Sequence, residues 1–428
     1  MTGPLRIGFI PLVDAAALIV AVDKGFAAAE GLDVTLVREV SWSNVRDKLN
    51  IGLFDAAHLL APVAIASSLG LGHVKVPIAA PFNLGLNGNA ITVSPALHAA
   101  IMAERSGDPF DPLATAQALA RVVAKRRRSG GEPLTFGMTF PFSTHNYQLR
   151  FWMAAGGVDP DEDVRLVVLP PPYMVDSLAT GHVDAFCVGA PWNSVAVDLG
   201  VGHILHFVAD ILVRAVEKVL AVRQDWSEKN PEVLAALVRA AFRAAEFIEQ
   251  PQNRAEAARI LAQPERIGVD AEVVQRTLDG RLKISPDGTI RESSRYLLVG
   301  REGAARPDPV QAPGSTRRWC AGGRPRSARK RSGPRKRCSG RTFTMRPWDA
   351  KGGSPMPLPR SALSRVRRSM PTISPGIWLR SRSDAGNPDA KASVAMLRSR
   401  LEGLIFRLDA RNQWRRLPAG FQSSGLII

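Results

Sequence analysis

The first 311 residues predict an α/β fold, on two observations. Short apolar runs of strand character alternate with helical segments at the spacing of α/β units. Polar loops follow the strands, at 11–14, 41–44, 83–89, 139–146 and 189–192, and open α/β sheets gather their ligands at the carboxyl ends of strands. Charge supplies an exclusion. The 428-residue chain has a net charge of +17, which by itself suggests a nucleic-acid partner. Residues 1–311, however, hold 30 Lys+Arg against 34 Asp+Glu, whereas residues 312–428 hold 26 against 5. The basic character therefore belongs to the last quarter, and the rest reads as a mildly charged globular chain.

The elements follow in order. Leu5–Ile10 is an apolar strand stopped at Pro11. Asp14 is expected to cap a helix over 15–30, closed by Gly31. Residues 34–40 form a strand, with Trp42 at its end and a helix over 44–50. Residues 55–60 form a strand, and 62–68 a helix. Further strands lie at 77–81 and 90–93, separated by the loop NLGLNGN. Residues 112–129 form a helix whose last turn, Lys125-Arg126-Arg127-Arg128, suits a helix C-terminus facing solvent. Strands follow at 134–138 and 164–169, the second stopped by Pro170-Pro171-Pro172. A short helix spans 173–180, and strands span 185–188 and 219–222. Two long helices close the series, 231–249 and 253–261. In the first, Val233, Leu234, Leu237, Ala240, Ala241, Ala244, Ala245 and Ile248 form one apolar stripe.

The stretch Thr139–Gly157 carries the most chemistry. Pro141 ends a strand, Ser143 and Thr144 are N-cap residues, and Gly156-Gly157 end the helix. His145 and Asn146 fall in the first helical turn, where free N–H groups and the helix dipole favour an anion. Taken alone, the stretch is first of all a capped helix carrying a histidine. The three cysteines, Cys187, Cys320 and Cys338, have no metal-type spacing. No nucleophile–base pair, metal cluster or phosphate loop is present, so the sequence reads as a binding protein rather than an enzyme, with no cofactor and no metal. No apolar run is long enough to span a membrane.

Read together, the loop words resemble one family. They are PLVDAA (11–16), SWSNVRDKL (41–49), FDAAHLLAP (54–62), LNGNAIT (86–92), THN with LRFWMAAGGVDPDEDVRL (144–166), PPPYMVDSLATGHVDAFCVG (170–189), APWN (190–193) and EKVLAVRQDW (217–226). Their order and content are similar to the nitrate/bicarbonate branch of ABC-transporter substrate-binding proteins, including its cytoplasmic nitrate sensors. The resemblance implies a two-lobe, periplasmic-binding-protein-like (type II) fold with the ligand between lobes. Residues 1–95 plus 205–311 are expected to form one lobe and 96–204 the other. Carried over by motif, the implied ligand-binding residues are Trp42, Asn89, His145, Gly189 and Lys218. Trp42 would offer an indole N–H, Asn89 an amide donor, His145 a donor at a helix N-terminus, Gly189 close backbone approach, and Lys218 the compensating charge. The implied pocket is donor-rich and acceptor-poor, suited to nitrate or nitrite. This sequence departs from the family pattern at Ala190, at Ala215-Val216, near Leu212 and at Phe142-Ser143.

The resemblance ends near residue 311. Residues 312–428 lack apolar periodicity and are dense in Arg, Ser, Pro and Gly, as in a disordered basic tail. Read one base out of frame, codons for Trp319–Ala328 can give MVRWGQAPLS, which resembles the family's C-terminal segment, so a frameshift between about residues 309 and 315 is expected. The functional expectation is a cytoplasmic nitrate/nitrite sensor that regulates nitrate assimilation through an RNA-binding antiterminator partner, with no direct nucleic-acid binding of its own. It follows from the resemblance together with an N-terminus lacking an export signal. The alternative is a periplasmic ABC-transporter substrate-binding component working with a permease.

Overall fold

A computed structural model of the chain describes residues 3–307; the expected basic tail, 312–428, lies outside them. The strands run in order as β1 (Leu5–Phe9), β2 (Val34–Arg38), β3 (Ala56–Leu60), β4 (Ile78–Asn87), β5 (Asn89–Val93), β6 (Thr135–Met138) and β7 (Arg165–Val168). They continue as β8 (Ala185–Gly189), β9 (His203–Phe207), β10 (Val216–Arg223), β11 (Arg281–Lys283), β12 (Ile290–Glu292) and β13 (Leu297–Leu298). Two mixed sheets organise them. The first has the order β13-β4-β10-β3-β1-β2 and the second β7-β6-β8-β5-β9, while β11 and β12 form a separate hairpin. β1 is parallel to β2 and β3, whereas β10 is antiparallel to β3 and β4. This is the α/β, two-lobe architecture expected.

Each sheet is covered on both faces, and the period of two along its strands sorts the cores. In the first sheet Leu220 and Val222 pack with the helices Ala16–Asp23, Pro231–Glu249 and Arg254–Ala262. The intervening Val219 and Ala221 pack with the helices Trp42–Asn50 and Ala61–Leu69. In the second sheet Ala185 and Cys187 face one cluster, Phe186 and Val188 the other. The apolar stripe of Pro231–Glu249 is buried from Leu237 to Ile248, with Val233 and Leu234 partly covered.

Several local expectations change. The helix expected over 15–30 divides into Ala16–Asp23 and Phe26–Ala29, because Gly25 adopts a left-handed φ of 77°. The loop expected at 83–89 is strand up to Asn87. Pro81 is tolerated there because the β4–β10 register is irregular between Leu220 and Val222. Asn83 and Asn87 are buried in β4 because their amides are saturated. Asn83 Nδ2 donates to the carbonyls of Ala304 and Arg306, and Asn87 Nδ2 to those of Val213 and Arg295. The expected lobe boundaries also move. β5 and β9 both lie in the second sheet, so the chain leaves the first sheet at Gly88 (φ 82°) rather than after residue 95. It returns between Phe207 and Val216 rather than at 205. Gly156 lies inside its helix and Gly157 (φ 98°) is the C-cap.

The lobes meet through the loop after β6. Phe140 is buried in the first lobe's cluster, with Phe142 and Trp192 packed against it. Arg46 sits over the Phe140 ring at 5.3 Å. None of the helices among the described residues is long and apolar enough to cross a membrane.

Candidate functional site

The site assembles where these elements converge. β10 runs antiparallel to β3, so the start of β10 lies beside the carboxyl end of β3, and Lys218 pairs with Leu60. Consecutive residues of a regular strand face opposite sides. Here the register against β4 shifts on both sides of Lys218. Such a bulge re-aims side chains, and Glu217 Oε1 lies 3.0 Å from Lys218 Nζ. Asp14 Oδ2 approaches the same ammonium at 2.8 Å. Asp14 is not the helix cap that the sequence suggests. It lies in the 3-10 turn Val13–Ala15, and its carboxylate is turned inward.

His58, in β3, extends the cluster. Its Nε2 lies 2.9 Å from Asp14 Oδ1, and its Nδ1 accepts from the Ile10 N–H at 3.4 Å. That acceptance leaves the ring proton on Nε2, facing Asp14. Trp42 opens the helix Trp42–Asn50, capped by Ser41. Its ring stands edge-on to His58 at 5.2 Å and 5.3 Å from Lys218 Nζ.

The second lobe contributes the helix Thr144–Gly156. Ser143 is its N-cap and accepts from Asn146 N at 3.1 Å. The Thr144 hydroxyl donates to Glu217 Oε2. A carboxylate of the chain itself thus sits at the helix N-terminus where the sequence suggested a ligand anion. His145 Nδ1 lies 3.0 Å from Thr139 Oγ1 and 3.4 Å from Glu217 Oε1. One turn on, Gln148 Oε1 accepts from Asn89 Nδ2 at 3.1 Å. Asn89 pairs with Gly189 across β5 and β8. A Cβ on Gly189 would stand 3.4 Å from both Asn89 Oδ1 and Asp14 Oδ2, so this glycine joins the two halves of the cluster.

All five residues expected from the motifs are therefore brought into one contiguous set, and the four with side chains are at most 1% exposed. The reasoning from sequence missed Asp14, His58, Gln148 and Glu217. A usable signal was present in Glu217-Lys218, two opposite charges placed directly before the apolar run Val219–Val222. The expected role of Lys218 also needs correction: its charge is already matched by two carboxylates, so the cluster is not acceptor-poor.

Electrostatics follow from burial. Burial opposes ionisation of Asp14, but Lys218 and His58 outweigh it and hold the carboxyl well below the usual range. Burial likewise opposes charge on Lys218, yet Asp14 and Glu217 raise its pKa. Burial drives His58 down and His145 to about 4, in each case against the pull of a carboxylate. Among the cluster's buried atoms, the nitrogens Trp42 Nε1, His145 Nε2 and Gln148 Nε2 and the oxygen Asn89 Oδ1 have neither a hydrogen-bond nor an ion-pair partner in the protein. Among the described residues no group of His, Cys, Asp and Glu could hold a metal ion.

The sequence profile of the NMT1-like family matches residues 2–262. The nitrate/nitrite binding protein NrtA of Synechococcus elongatus is 32% identical over 311 residues, 71% of this chain and 68% of that protein. The nitrate import ATP-binding protein NrtC of a Synechocystis strain is 38% identical over 272 residues. That match takes 63% of this chain but spans only 38% of NrtC. The crystal structure of the periplasmic nitrate-binding protein NrtA from Synechocystis PCC 6803 superposes with a TM-score of 0.67 at 28% identity. It covers 74% of this chain and 81% of that one.

Proposed function

The chain belongs to the NMT1-like family, and from that premise we propose that it binds a small planar oxyanion, nitrate or nitrite, in the buried cluster between its lobes. Its role is that of the substrate-binding component of an ABC transporter. The observation that carries this reading is the set of unpartnered buried nitrogens on Trp42, His145 and Gln148. An unmet buried donor costs about 1–3 kcal/mol. Trp42 Nε1 and Gln148 Nε2 can only donate, which suits a ligand rich in acceptor oxygens. Lys218, Asn89 and Gly189 complete the wall.

The ligand reaches these groups only when the lobes part, since they are buried. Binding then shifts the open–closed equilibrium by its differential affinity for the two states, and a permease would read the closed form. The chain's relatives include a nitrate import ATP-binding protein and a nitrate/nitrite binding protein, which favours transport over the sensor role expected from sequence. Calorimetric titration of nitrate, nitrite and bicarbonate tests the reading. Saturable one-to-one binding of nitrate or nitrite is expected, weakened by Trp42→Phe and by Gln148→Ala. A folded protein that binds none of the three would refute it.

A further inference from the structure

The charge around Lys218 is unbalanced for an anion site. Asp14 and Glu217 both lie within 3.0 Å of the one ammonium. His58 adds nothing, since its proton faces Asp14 and burial keeps it neutral. With His145 neutral, the buried set carries one negative charge in excess. A monovalent anion placed beside it would add a second, in surroundings where charge repulsion is poorly screened.

His145 has the geometry to resolve this. Its Nδ1 lies 3.4 Å from Glu217 Oε1 and 3.0 Å from Thr139 Oγ1, while Nε2 is buried without a partner. A neutral ring that donates from Nδ1 to Glu217 presents a lone pair at Nε2, which would repel an anion. A ring protonated at both nitrogens donates from both, one N–H to Glu217 and the other to the ligand. We propose that the site takes up its anion together with one proton from solvent, and that this proton resides on His145 between Glu217 and the ligand. The proposal rests on the reading of the cluster as an anion site.

The groups that act on His145 are consistent with it. Glu217 and Lys218 act on the ring from β10 and Asp14 from the Val13–Ala15 turn, while His58 of β3 and the thiol of Cys187 on β8 border the same charges. On its own helix Gln148 is neutral, and Arg150 is held by Asn146 and Asp161. Without ligand, burial holds the imidazole near a pKa of about 4. An anion at Nε2 raises it, so binding and protonation favour each other.

The test is calorimetry of nitrate binding to the full chain at pH 7, in buffers of different ionisation enthalpy. The expected result is uptake approaching one proton per nitrate. The Kd should rise by up to about tenfold per pH unit between pH 6 and pH 8. Glu217→Gln, checked for folding by circular dichroism, removes the excess charge and should bind nitrate with under half that uptake. His145→Gln keeps an N–H donor and should bind more weakly with no uptake. Nitrate binding without proton uptake, at a Kd constant within about twofold from pH 6 to pH 8, overturns the coupling and leaves the anion reading standing. Full uptake persisting in His145→Gln overturns the assignment to His145. Failure of the folded chain to bind nitrate, nitrite or bicarbonate anywhere between pH 5.5 and pH 8.5 overturns both.

Discussion

Replacing Lys218 by methionine isolates the electrostatic argument. The substitution nearly preserves volume but removes the one ammonium that, among the described residues, faces Asp14 and Glu217, which are 2% and 0% exposed. At 2.8 and 3.0 Å, each pair is worth about 5–6 kcal/mol of attraction at an effective dielectric of about 20. Most of that offsets the desolvation of the charges. Removing one partner of a buried pair leaves a net loss of about 3–5 kcal/mol. The loss should depend on pH. In Lys218→Met the Asp14 carboxyl loses its ammonium and keeps only His58, so burial raises its folded-state pKa. The folded variant then binds more protons than the folded wild type, and its deficit against wild type narrows on going from pH 7 to pH 5. Urea denaturation at both pH values measures this. Adding Glu217→Gln to Lys218→Met should recover part of the loss at pH 7. A deficit under about 1 kcal/mol, or one unchanged by pH, would refute the reasoning.

Other perturbations read other parts of the structure. His145 and His206 are fully buried, and burial lowers them to about 4 and about 3. Below the unfolded value near 6.5 the unfolded chain takes up protons first, so stability should fall by up to about 1.4 kcal/mol per pH unit for each histidine between pH 6 and pH 4. Urea midpoints across that range check it, and a flat profile contradicts it. Gly156→Ala would set a Cβ 2.2 Å from the Ala116 carbonyl, where the helices Pro112–Arg128 and Thr144–Gly156 touch. A loss of at least about 1–3 kcal/mol in thermal or urea denaturation is expected. Trp42→Phe keeps the packing against His58 and removes one indole N–H. It should weaken nitrate binding by about 0.5–1.5 kcal/mol in calorimetry while changing stability by less.

The sequence revealed the parts of this protein that are governed by local rules. Apolar periodicity delimited Pro231–Glu249, and Ser143 before a helical pattern located the helix that carries His145. Position within motifs brought Trp42, Asn89, His145, Gly189 and Lys218 to one place. Pairings across sheets were not legible. Asp14 precedes a helix and so reads as a cap, yet its partners, Lys218 and His58, arrive from β10 and β3. Glu217 faces Lys218 only because of an irregularity in the β4–β10 register, which strand alternation does not foresee. Asn83 and Asn87 read as loop residues, because the carbonyls that satisfy them belong to segments more than 100 residues away. The long-range contacts thus changed the chemistry of the site from a lone cation among donors to a cation held between carboxylates.

The most direct test of the central claim is a calorimetric titration of nitrate and nitrite into the full chain beside its Lys218→Met and His145→Gln variants, near neutral pH. The account predicts one-to-one binding of at least one of these anions to the wild-type protein. It also predicts loss of binding in Lys218→Met and weakening in His145→Gln. Equal binding by all three proteins would place the anion elsewhere and contradict the account.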